Sequence, residues 1–149
     1  MKIKNKIRKI VYNGMLTPDG TLLESLHRHD YVSHLDANGK LYVLDGGTDY
    51  IRCSQNGDEQ FITIYDDDPF ETVRMYAYRL GYGKPGSSDF GKFKRTHLYQ
   101  MSDEYLKASI QYMQDNDQLH NPHTSLLLKE QLFRITHKIS IPDNTLGEN

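Results

Sequence analysis

Through the first two thirds of the chain, short runs rich in Ile, Leu, Val and Tyr alternate with turn-forming residues. Pro18-Asp19-Gly20, Asn38-Gly39 and Asn56-Gly57 each interrupt such runs, and Asn-Gly tolerates the positive φ angles of a tight type I′ turn. A two-residue loop at Asn38-Gly39 predicts Leu35 opposite Tyr42 and Ser33 opposite Leu44. A hairpin at Asn56-Gly57 predicts Ile51 opposite Ile62. Because side chains alternate along a strand, this register puts Tyr31, Leu35, Tyr42 and Leu44 on one face. Val32, His34, Asp36, Leu41, Val43 and Asp45 then share the other. Both faces carry apolar residues, which predicts a sheet covered on both sides by the helices that follow.

The period changes after residue 66. Asp68-Pro69-Phe70-Glu71 offers an N-cap acceptor, a proline at the first helical position and an acidic first turn. Phe70, Val73, Ala77 and Leu80 then recur on one face, with Gly81 placed to end the helix. The glycine-rich run from Gly81 to Phe93 reads as a loop, with a short strand near Arg95 to Tyr99 beyond it. Ser102-Asp103-Glu104 opens a second helix with Leu106, Ile110 and Met113 as its apolar stripe. Asn121-Pro122 opens a third, in which Leu128, Leu132 and Ile135 keep helical spacing until about His137. The reading is an α+β fold in one domain, an antiparallel β-meander over about 1–66 and about three helices packing on it over 67–138. A polar tail, 139–149, follows, and the Gly81 to Phe93 loop could separate the two halves.

Composition narrows the function. A chain of 149 residues is the common size of one domain. Only 37% of it is hydrophobic, but eleven tyrosines and five phenylalanines supply the bulk a sheet packs with. A net charge of −2 provides no global field to hold a polyanion, so nucleic-acid affinity would need a local patch. Cys53 is the one cysteine, which excludes an intramolecular disulfide and a multi-cysteine zinc site and points to a reducing compartment. The basic start (Lys2, Lys4, Lys6, Arg8, Lys9) is followed by no signal-like apolar run, and no window has the roughly 18 apolar residues of a membrane span. The expectation is a soluble cytoplasmic protein without a cofactor.

The densest chemistry lies in "HRHDYVSHLDANGKLYVLDGG". His27 and His29 are two apart, so a strand would point both rings the same way. His34 and Asp45 become diagonal neighbours in the expected register, and Asp49 could join them from the next strand. A metal-assisted hydrolase built on these five residues is one reading; hydrogen-bonded trim on a half-exposed sheet is the other, and the favoured one. Complete hydrolase signatures are missing: His123-Thr124-Ser125 is a single H-x-[ST] tripeptide, and "GYGKPG" follows a helix where a phosphate cradle follows a strand. A third reading takes Lys92, Phe93, Lys94 and Arg95 as a single-strand nucleic-acid surface, cations interleaved with aromatics. The acidic run Asp66-Asp67-Asp68 weighs against it.

"HRHDY" at 27–31, "DGG" at 45–47, "DYIR" at 49–52 and the "DDPFE" helix start, together with the later "MSDEYLKASI" and "LLLKEQL" segments, resemble a set of small proteins of T4-type and other tailed bacteriophages. The likeness covers most of the chain. It implies a phage product, of the early, host-takeover kind, acting in the host cytoplasm. The family is one of unknown function and brings no activity with it. Some relatives carry CxxC-like pairs that read as a zinc ribbon; Val11, Gly14 and Ser33 lie near those positions here, and Cys53 falls outside the pattern. A ribbon kept without metal implies hairpins held by packing, with Gly46-Gly47 at a backbone bend. The function expected is binding to a host or phage protein, with membrane and nucleic acid set aside.

Overall fold

A computed structural model describes residues 8–81, 86, 88, 91 and 94–143. The fold is α+β, with eight strands in antiparallel sheets and three α-helices among the described residues. Residue proximity divides the chain between Tyr76 and Ala77 into two compact units. No described helix is long and apolar enough to cross a membrane.

The first unit holds β1 (Ile10–Leu16), β2 (Leu22–Ser25), β3 (Val32–Leu35), β4 (Leu41–Asp45), β5 (Arg52–Cys53), β6 (Gln60–Tyr65) and α1 (Phe70–Tyr76). Its strands form two three-stranded sheets, ordered β2-β1-β6 and β3-β4-β5. Met15 and Leu23 from the first sheet meet Tyr42 and Leu44 from the second in one buried cluster, with Val32 and Cys53 against it. Helix α1 lies against β1 and β6. Its Val73 is fully buried, and the Tyr76 ring stands 5.0 Å from that of Tyr12.

The β3–β4 turn is built differently from the expected two-residue loop. Asp36 N–H donates to the Lys40 carbonyl and Gly39 N–H to that of Asp36, leaving Ala37-Asn38-Gly39 as the loop. Only Gly39 takes a positive φ, +80°, whereas a type I′ turn needs two such residues. The Asp36 carboxylate accepts from the backbone N–H groups of Asn38 and Lys40 at 3.0 and 2.8 Å, which holds this wider turn. The extra residue slides the register by one, so Leu35 pairs with Leu41 and His34 with Tyr42. Val32, His34, Tyr42 and Leu44 therefore share the core side, while the exposed Leu35 and Leu41, the half-buried Val43 and the buried Asp45 alternate on the other.

Asn56-Gly57 also turns the chain, with both N–H groups donating to the Glu59 carboxylate. Its two flanking strands join different sheets, β5 pairing with β4 and β6 with β1, so Ile51 does not face Ile62. The turn is tethered to β4 instead: Asn56 donates to the Leu41 carbonyl, and Asp58 accepts from Lys40 and Tyr42. The acidic run beyond β6 is occupied by the described N-terminus, since Arg8 pairs with Asp67 and Asp68 at 2.7 and 3.2 Å.

Helix α1 begins where expected, with Glu71 in its first turn and the Pro69 carbonyl accepting from Val73. The Asp68 carboxylate accepts from Tyr65 N–H, facing back along the chain. The helix ends at Tyr76, five residues short of the predicted end at Gly81. In the second unit, Tyr78–Gly81 is instead β7, paired with β8 (Lys94–His97), and Gly81 is a strand residue whose added Cβ would lie 3.0 Å from the Tyr105 hydroxyl. Cross-strand pairing of Tyr78 with His97, rings 6.1 Å apart, overrides the helical spacing.

A short 3-10 turn (Leu98–Gln100) leads to α2 (Asp103–Asp115) and α3 (Pro122–His137). Both caps match the sequence: Ser102 accepts from Tyr105 N–H at 3.0 Å, and Asn121 from His123 N–H at 2.9 Å. Leu106, Ile110 and Met113 are buried, as predicted for α2. The predicted stripe of α3 is not its buried side. That side holds Leu126, Leu127, Glu130 and Arg134, and Leu128, Leu132 and Ile135 are 41%, 64% and 70% exposed.

Candidate functional site

The "HRHD" and "DGG" segments meet as two loops, one joining β2 to β3 and the other β4 to β5. Gly47, at φ +56°, passes so close to His27 that an added Cβ would stand 2.4 Å from the His27 carbonyl. Gly46, at φ +104°, crowds the Tyr50 carbonyl in the same way. Both glycines are required by close backbone approach. The buried Ser25 hydroxyl joins the loops, accepting from Gly47 N–H at 2.8 Å and donating to the Asp30 carbonyl at 2.7 Å. Asn13, also buried, donates to the Gly47 carbonyl at 3.0 Å, and the Asp30 carboxylate accepts from Leu26 N–H.

The candidate metal ligands do not converge. The exposed His27 ring sits beside its neighbour's carbonyl, 3.1 Å from Arg28 O, and 3.9 Å from Asp30. His29, itself at φ +65°, places Nδ1 3.1 Å from the Tyr50 hydroxyl, which donates onward to the buried Asp45 carboxylate at 3.5 Å. Asp45 also accepts from Gly46 N–H, and Asp49 lies 3.7 Å from Arg28. His34 is at the other end of β3, where its Nε2 stands 2.7 Å from Asp19 and 3.2 Å from the Thr21 hydroxyl. Among the described residues no three His, Cys, Asp or Glu side chains gather to hold a metal ion. For His34 and Asp45 the one-residue register slide is the reason, since it sends them to opposite faces of the pair they were expected to share, and His27, His29 and Asp49 lie in loops outside that pair.

These contacts staple the loops together. The Asp19 carboxylate accepts from Thr17, His34 and Thr21, and those hydrogen bonds hold it well below the usual carboxylate range. Asp19 and His34 thereby bridge the β1–β2 turn to β3. Polar side chains occupy this position, a link that packing alone would not provide. Burial pushes the Cys53 thiol up, away from the thiolate a nucleophile needs.

Of the nucleic-acid candidates, Lys94 and Arg95 lie on β8, and Lys92 and Phe93 fall outside the described residues. The Arg95 guanidinium is 5.6 Å from the Tyr78 ring, and on the neighbouring strand Arg79 is 5.8 Å from that of Tyr112. Paired residues in the ribbon share a face, so Arg95 lies with Leu80 and Lys94 with Gly81 on alternate sides. The two cations therefore do not form a single track.

A charged network that sequence reasoning missed lies inside the second unit. Arg134, 4% exposed, donates to the wholly buried Glu130 at 3.3 Å, to Asp103 at 2.9 Å and to the Leu98 carbonyl at 2.8 Å. Burial disfavours the Asp103 charge, but hydrogen bonds from Arg134, Ile141 N–H and the Ser140 hydroxyl outweigh it and keep this carboxyl below its usual range. An i,i+4 Glu–Arg pair ordinarily reads as a solvated face, so no local signal placed it inside. Its burial turns Leu128, Leu132 and Ile135 of α3 outward. Of these, Ile135 lines an open groove of about 430 Å³ together with Leu106, Lys107, Gln131, Lys138 and Ile139 among others. Compared with protein-family models, curated proteins and solved structures, the chain matches none of them.

Proposed function

We propose that this chain is a non-enzymatic binding protein that engages another protein through the second unit. The observation carrying the reading is the exposure of Leu132 and Ile135, 64% and 70%, on a helix whose opposite side is closed by buried ion pairs. Apolar side chains left outside together at helical spacing are a usual form of a protein contact. The histidine and carboxylate cluster supports the same reading, because His29 and Asp45 are linked through Tyr50 and His34 is engaged by Asp19, at separate places in the unit. The resemblance to small tailed-phage proteins extends the proposal to a setting: a phage product that modulates a host protein or defence system in the host cytoplasm.

The test is copurification of the tagged full chain from bacterial cells, with crosslinking before lysis. A reproducible host protein in stoichiometric yield is the expected result. Repeated recovery of the chain without any stoichiometric companion would overturn the reading.

A further inference from the structure

We propose that the outward seam of α3 is a docking site for an amphipathic helix with acidic flanks, an assignment that rests on the binding reading above and names the chemistry of the partner. Leu128, Leu132, Ile135 and Ile139 are spaced by four, three and four residues. That is the a/d alternation with which one helix packs its side chains into the holes of another. Ile139 lies past the end of α3, but its N–H donates to the Arg134 carbonyl at 2.9 Å, and Lys138 adopts the left-handed conformation at φ +55°. This cap folds the chain back and sets Ile139 beside Ile135 in the groove.

Charge selects the occupant. Lys107, Lys129 and Lys138 are exposed along the seam and groove, and no carboxylate among the described residues pairs with them. Glu130 balances the Arg134 charge, which leaves Asp103 and Glu104 as the carboxylates lining the groove. Three lysines against these two carboxylates leave the rim positive. A second copy docked seam to seam would set one net-positive rim against another. A helix carrying Asp or Glu beside its own apolar seam would meet both the leucines and the lysines.

The experiment titrates the full chain with two designed heptad peptides, both with Leu at a and d, one with Glu and one with Lys at e and g. The Glu-flanked peptide is expected to bind at least about tenfold more tightly, with a preference that shrinks as salt is raised. Leu132→Asp/Ile135→Asp should abolish that binding. Lys107→Glu/Lys129→Glu/Lys138→Glu, changed only at exposed positions, should reverse the preference. Equal affinity for the two peptides, or none for the Glu-flanked one, would overturn the proposal. So would a dimer in sedimentation that Ile135→Asp dissociates, since a second copy would then cover the seam. A host protein captured equally well by Leu132→Asp/Ile135→Asp would remove this site while leaving the binding reading intact.

Discussion

Gly47 lies against the backbone of His27, so close that a Cβ on Gly47 would stand 2.4 Å from the His27 carbonyl carbon and oxygen. Gly39 takes a positive φ as well, yet an added Cβ there meets nothing within 4 Å. The two glycines therefore separate backbone conformation from backbone contact. Gly39→Ala is expected to cost about 1 kcal/mol, the penalty of the left-handed region alone. Gly47→Ala adds a clash with main chain that cannot move aside and should cost about 3 kcal/mol or more. Urea unfolding of both variants measures the difference; equal costs would mean that the two loops do not touch.

Arg134 holds three partners, among them the wholly buried Glu130. Arg134→Met takes from that buried carboxylate the guanidinium 3.3 Å away and leaves the Leu98 carbonyl without its donor, and is expected to lose about 3–5 kcal/mol. Glu130→Leu/Arg134→Met removes both charges together, so its loss should fall well below the sum of the single losses. A double-mutant cycle in urea measures the coupling, and additive losses would count against a coupled pair.

His123 titrates out of its usual place. Burial, then the charge of Arg79, pushes it down to about 4 from the ordinary 6.5. Between these values the unfolded chain takes up a proton that the folded chain does not, so stability falls as the pH is lowered through that window and is complete above it. His123→Gln should flatten the urea-midpoint profile between about pH 6.5 and 4 relative to the parent. Parallel profiles would show that His123 is accessible in the fold.

Asp19 acts at lower pH. Its carboxylate is depressed by hydrogen bonds from Thr17, His34 and Thr21, so the stability it contributes is present above its ordinary value of 3.8 and is lost as pH falls below that value. Asp19→Asn should be less stable than the parent at neutral pH, with the gap closing on acidification below about pH 4. Acid titration of the urea midpoint reads this directly. A constant gap would indicate that Asp19 is not ionised in its bridge to His34.

The five candidate metal ligands were legible only as a concentration of residue types. Whether His34 meets Asp45 turns on one loop residue, because a strand shifted by one position exchanges its two faces. Asn38-Gly39 announces a turn in either case. The choice between two loop residues and three comes from the Asp36 carboxylate gripping the N–H groups of Asn38 and Lys40. Local propensity does not rank those two arrangements. A bend at Gly46-Gly47 was implied only by the resemblance to a ribbon, and its cause, the approach of His27, comes from the fold.

The amino-acid order alone determined the α+β class, the positions of the turns, the starts of all three helices and the buried stripe of α2. Each of these depends on residues within a few positions of one another, through caps, turn geometry and helical period. Tertiary structure decided the rest: which strands pair, where α1 gives way to β7, and which side of α3 is inside. Those outcomes depend on partners far along the chain. Glu130 and Arg134 can be buried only because Asp103 and the Leu98 carbonyl arrive from elsewhere to satisfy the guanidinium, and burying them is what leaves Leu128, Leu132 and Ile135 facing outward.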